Sequence, residues 1–109
     1  MAEETAKFAK FLYIGKSLEK EYRKVIRHLK RKKASLLVYL AVILPEEEQV
    51  FLVHNGIYLA NYHKSGALIV GLALGKREGM KLLRDIVQDT LSLRGDLNTG
   101  AFIMEREKA

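Results

Sequence analysis

From residue 35 to residue 44 the chain reads SLLVYLAVIL, ten residues without a charge. A strand with one wet face alternates apolar and polar side chains, and this run does not alternate. The segment is therefore expected to be an interior strand with both faces covered. Pro45 follows, with Glu46, Glu47 and Glu48 behind it. Proline lacks the amide that a central strand donates, so the strand must stop there and the acids form a turn. At its longest, the apolar run is about half the roughly 20 residues a membrane helix needs.

The segment that precedes this strand has the opposite character. Residues 16–33, KSLEKEYRKVIRHLKRKK, carry a balance of +7, one more than the +6 of the whole chain. The remaining residues are close to neutral, so the basicity is local. Stepping about 100° per residue, Leu18, Tyr22, Val25, Ile26 and Leu29 fall on one narrow stripe. Lys16, Lys20, Arg23, Lys24, Arg27, Lys30 and Arg31 fall on the opposite arc, where no acid occurs. The expectation is an amphipathic helix over 17–33, with Ser17 as a plausible N-cap. Its basic back is the candidate site for nucleic acid or another polyanionic partner. Such binding neutralises phosphates, depends steeply on salt, and carries little sequence information. No aromatic ring is interleaved in the arc to stack bases. The plainer reading is a solvated helix face.

The rest of the chain reads as alternating turns and short elements. Residues 49–54 and 57–62 flank Asn55-Gly56, the pair favoured by the two positive φ angles of a type I′ turn, so a hairpin is expected. Residues 67–74 read as a further apolar strand. Residues 76–93 read as a second helix, with Met80, Leu83, Ile86, Val87 and Leu91 on the buried side and Leu82 and Leu93 widening it. That arc is broader than one sheet face requires, and it suggests a homodimer. Gly95 suits the position just past the helix. Residues 101–105 read as a short C-terminal strand, while residues 8–14 are consistent with either strand or helix. Together these make a single α+β domain over 1–109: an antiparallel meander with two main helices, 17–33 and 76–93, packed on it.

Other chemistry is sparse. With no cysteine there is neither disulfide nor thiol nucleophile, which fits a reducing, cytoplasmic setting. The N-terminal residues lack a continuous apolar stretch of the kind found in signal peptides. Gly15-Lys16-Ser17 resembles the end of a phosphate loop, but position 10 holds Lys where that motif needs Gly. Gly71, Gly75 and Gly79 are spaced by four, which matches neither nucleotide fingerprint. Close backbone approach followed by a sharp turn is the expected reason for those glycines. The three histidines present no paired ligand spacing, so neither metal nor cofactor is expected. No catalytic constellation emerges. A small pocket beside Tyr58, Tyr62 and His63 is the remaining alternative, for a ligand sensor or small enzyme.

Overall fold

The computed structural model describes residues 6–109. The chain runs β1 (Lys7–Ile14), a 3₁₀ turn (Lys16–Leu18), α1 (Tyr22–Lys30), β2 (Val38–Ile43) and β3 (Phe51–His54). It continues with α2 (Asn55–Ile57), which runs on as a π-helical turn (Tyr58–Tyr62), then β4 (Leu68–Leu74), α3 (Lys76–Arg94) and α4 (Thr99–Lys108). The four strands form one sheet in the order β1-β4-β2-β3. β2 pairs antiparallel with both β3 and β4, whereas β1 pairs parallel with β4. The sheet is therefore mixed, and the expected antiparallel meander is corrected.

Period-two geometry explains why β2 is apolar throughout. Val38, Leu40 and Val42 point into a core shared with Leu18, Val25, Leu29 and Tyr58. Of the alternate residues, Ala41 and Ile43 point into a second core with Leu82 and Ile86 of α3 and Phe102 and Ile103 of α4, while Tyr39 is half-buried. Over Val38–Ile43 the strand is buried on both faces and flanked by a neighbour on each edge, as the absence of alternation predicts. The expected span of 35–44 is corrected, because Leu36 and Leu37 lie in a turn ahead of the strand and are exposed. Leu40 is fully buried, so truncating it to alanine should cost roughly 2–5 kcal/mol in lost transfer energy and residual cavity. In β4 the alternation slips: Ile69 and Leu72 share the first core while Val70 and Ala73 share the second. The slip coincides with a register shift opposite Ala41 and Val42, which lets the strand serve both layers despite its irregularity.

Three local expectations fail. Asn55-Gly56 does not close a hairpin, and neither residue has a positive φ. The Asn55 side chain is instead used in tertiary bonds: Oδ1 accepts from the Ser35 amide at 2.7 Å, and Nδ2 donates to the carbonyls of Ser35 and Val38 at 2.6 Å. His54 Nδ1 accepts the Gly56 amide at 3.0 Å and so caps the helix that begins there. Residues 57–62 then turn as helix, placing Tyr58 fully inside the first core. Residues 101–105 are helix too, because Asn98 Oδ1 caps the Ala101 amide at 2.8 Å and starts α4. Lastly, the helix expected over 17–33 begins only at Tyr22, and Ser17 caps nothing; the described chain holds four α-helical segments rather than two.

Of the glycines spaced by four, Gly71 has the close backbone approach expected, Gly79 is crowded by a side chain instead, and Gly75 makes the turn. A Cβ on Gly71 would stand 3.2 Å from the Tyr13 carbonyl oxygen, and one on Gly79 would stand 2.8 Å from Leu52. Gly75 joins β4 to α3 at φ 84°, a conformation that disfavours any side chain. Residues 8–14, consistent in sequence with either strand or helix, lie within β1. Among the described residues no helix is long and apolar enough to cross a membrane.

Candidate functional site

The expected basic arc is divided by the fold. Arg23, Lys24, Arg27 and Lys30 stand on α1 and Arg31 follows its last turn, all of them exposed. Counting from buried Val25, they occupy roughly 140° to 260° of the helix circumference at about 100° per residue. Val25 and Leu29 on the opposite side seat the helix in the first core. Among the described residues no acid pairs with these five cations: the ion pairs are Lys81–Asp85 and Arg94 with Asp96 and Glu105. Two of the five make aromatic contacts. The Arg23 guanidinium lies 5.6 Å from the Tyr22 ring and the Lys30 ammonium 6.0 Å from the Phe8 ring. Lys20 sits in the turn ahead of α1, and Lys16 lies on the 3₁₀ turn. The uninterrupted helical face is thus nine residues long, about 13 Å, shorter than the sequence implies.

Lys16 belongs to a different feature. β1 and β4 are parallel neighbours, but the chain leaves β1 toward the first core and leaves β4 toward the second. Where successive helices diverge to opposite faces, the carboxyl ends of the strands open into a crevice. Here it has a volume of about 1120 Å³ and is lined by Tyr13, Gly15, Lys16, Ser17, Arg77 and Glu78, among others. The two glycine-lysine joints, separate fragments in the sequence, meet at this point. Glu78 Oε1 accepts the Leu74 amide at 2.8 Å, and Oε2 accepts the Ser17 amide at 3.1 Å. Partial burial opposes the charge on Glu78, yet the bonds from Leu74 and Ser17 outweigh it and hold the carboxyl below its usual range. Two amides at this crevice, those of Ser17 and Leu74, are already taken by the protein's own carboxylate.

A second polar group went unseen in the sequence. Tyr13 donates its hydroxyl to Asp89 Oδ2 at 2.6 Å and accepts from Arg106 Nη1 at 2.9 Å. Burial, reinforced by the bond to Asp89 and its charge, pushes the Tyr13 phenol up to about 12. A phenol held protonated in this way braces β1 against α3 and α4, and it offers no base at neutral pH. The Arg106 guanidinium also lies 4.0 Å from the Phe11 ring and 4.8 Å from the Phe102 ring. Only the recurrence of aromatics in β1 hinted at such a cluster.

The residues of the alternative pocket pack inward. Tyr58 is fully buried, Tyr62 lies edge-on to Phe51 at 5.6 Å, and the His63 ring meets the Tyr58 ring at 6.0 Å. His63 Nε2 has no hydrogen-bond partner among the described residues. His54 uses both ring nitrogens, the second donating to the Leu36 carbonyl at 2.7 Å. Among the described residues no group of three His, Cys, Asp or Glu side chains is arranged to hold a metal ion. Set against known protein families, curated proteins and solved structures, the chain matches none of them.

Proposed function

We propose that this chain is a non-catalytic binder of phosphate-bearing polyanions, acting through the basic face of α1. The observation that carries the reading is the set of five exposed cations, Arg23, Lys24, Arg27, Lys30 and Arg31, with no acid partner among the described residues. A face that serves only to stay solvated usually mixes both signs, which lowers its self-repulsion. The crevice between β1 and β4 is the weaker place for an anion, because Glu78 already takes the Ser17 and Leu74 amides and Glu19 and Asp85 also line it.

Fluorescence anisotropy with random-sequence duplex and single-stranded oligonucleotides is the first test, at low and at moderate salt. Each phosphate neutralised on a duplex contributes about −0.9 to the slope of log K against log salt. The variant R23E/R27E/R31E should abolish the binding. Affinity that survives this reversal would move the site away from α1.

A second reading is self-association, and α3 supplies a specific observation for it. Met80, Val87 and Leu91 are exposed, against the expectation that they face the core, and they recur at helical spacing. The buried side of α3 is formed by Gly79, Leu82, Ile86 and Thr90. The stripe spans roughly 16 Å at 1.5 Å per residue and would suit the same stripe on a second copy. Light scattering that shows a 12.4 kDa particle at high micromolar concentration would remove this reading.

A further inference from the structure

From residue 22 to residue 45 the chain contains no Asp or Glu, and this acid-free stretch holds more than the basic helix. After α1 the chain turns at Lys32, whose φ is 59°, and passes Lys33 to reach Leu36 and Leu37. Leu36 is 85% exposed and Leu37 is 56% exposed. The backbone of this loop is tightly held. Asn55 clasps the amide and the carbonyl of Ser35, the His54 ring takes the Leu36 carbonyl, and the Gly75 amide donates to the Leu37 carbonyl at 2.7 Å. With the carbonyls of Ser35, Leu36 and Leu37 bound to the rest of the protein, the loop presents both leucine side chains to the outside. Two further exposed apolar residues belong to the segments that hold this loop. Leu74 is exposed and pairs in register with Val38, and exposed Ile57 lies two residues past the Asn55 clasp.

An apolar tip beside a basic face adds nothing to contact with a nucleic-acid backbone, which is charged and hydrated throughout. It does match a bilayer surface, where anionic headgroups overlie an apolar boundary. We infer that the polyanion met by α1 is the surface of an anionic lipid membrane, with Leu36 and Leu37 entering the headgroup region. The inference rests on the polyanion-binding reading of α1 and specifies its partner. Lys33 lies three residues from Leu36, so at roughly 3.5 Å per residue it stays close to one screening length, about 8 Å in physiological salt. Arg27 and Arg31 continue the positive rim along the helix. Peripheral binding of this kind draws on buried apolar area and on attraction to anionic lipid together, so neither contribution alone should hold the protein.

The test is flotation with vesicles of phosphatidylcholine alone and of two parts phosphatidylcholine to one part phosphatidylglycerol, beside the oligonucleotide titration. The wild-type chain should float with the anionic vesicles and not with the neutral ones. R23E/R27E/R31E should lose this binding, and L36S/L37S should weaken it about tenfold or more while leaving any oligonucleotide affinity unchanged. The chain has no tryptophan, so L36W serves as an independent reporter whose emission should shift to the blue on anionic vesicles. Vesicle binding unchanged by L36S/L37S, or an L36W spectrum that does not move, would overturn the inference. Oligonucleotide binding without vesicle binding would overturn it too, yet leave the polyanion reading standing. Failure to bind either would remove both.

Discussion

Glu78 and Gly15 share one position at the end of the sheet: a Cβ on Gly15 would stand 2.7 Å from the Glu78 carboxyl carbon. The carboxylate ties the joint after β1 to the joint after β4 by accepting the amides of Ser17 and Leu74. The Gly15→Ala variant must push the carboxylate aside and break both bonds. The joint is largely exposed, so the cost should be about 1 kcal/mol, typical of net hydrogen-bond losses. Adding Glu78→Ala to it should cost little more, because the bonds are gone already. Urea denaturation of the two single variants and the double variant measures this; simple additivity would disprove the coupling.

The same carboxylate predicts an acid dependence. A carboxyl held below its unfolded value stabilises the fold when ionised, and that stability is lost as pH falls through the lowered folded value. The advantage of wild type over Glu78→Gln should therefore be full above the ordinary glutamate value of 4.5 and should shrink below it. Urea midpoints of both proteins across the acid range report the difference. A gap that stays constant with pH would mean that Glu78 contributes through packing alone.

Tyr13 predicts a dependence at the alkaline end. Its neutral phenol is favoured in the fold, so the folded protein keeps a proton that the unfolded chain releases. Stability from this residue should be complete below pH 10 and decline between pH 10 and about 12. Asp89→Asn removes the accepting charge and should bring the Tyr13 titration down toward the ordinary value. Difference absorbance of tyrosinate, compared with Tyr13→Phe to assign the signal, follows it directly. An unchanged titration in Asp89→Asn would assign the whole shift to burial.

Asn55→Ala should be among the more damaging polar substitutions. The side chain is 1% exposed and serves three backbone groups of the Ser35 and Val38 segment, so a loss of roughly 2–4 kcal/mol is expected as those groups are left unpaired. Beyond the shift in urea midpoint, the Ser35 amide should exchange with solvent faster, since the loop that carries Leu36 and Leu37 is released. Unaltered exchange at Ser35 would contradict the clasp.

Charge reversal at Arg23, Arg27 and Arg31 should leave the fold intact. The three residues are spaced by four, so their mutual repulsion is exchanged for repulsion of the other sign, offset by attraction to Lys24 and Lys30. Glu at position 31 meets the negative end of the helix dipole at a cost of about 0.3–1 kcal/mol. Thermal melts followed by circular dichroism should show a small shift only. Collapse of the melt would mean that the basic face also serves packing.

What the order of residues determined by itself is the set of features that depend on neighbours along the chain. The apolar run dictated an interior β2 over residues 38–43, but its first leucines, Leu36 and Leu37, are left exposed ahead of the strand, which composition alone did not announce. The 3.6-residue period placed Val25 and Leu29 inward and the α1 cations outward, and glycine marked both ends of α3. Wherever a local preference competed with a distant partner, only the tertiary structure decided. Asn55-Gly56 has the chemistry of a tight turn, but three bonds to the Ser35 and Val38 backbone outweighed it and started a helix. The outer stripe of Met80, Val87 and Leu91 was misassigned because a period counts apolar residues without saying which of two apolar arcs meets the sheet. The pairing of β1 beside β4 brought Ser17, Leu74 and Glu78 together, and residues 61 apart have no local physics to announce that they will share a carboxylate.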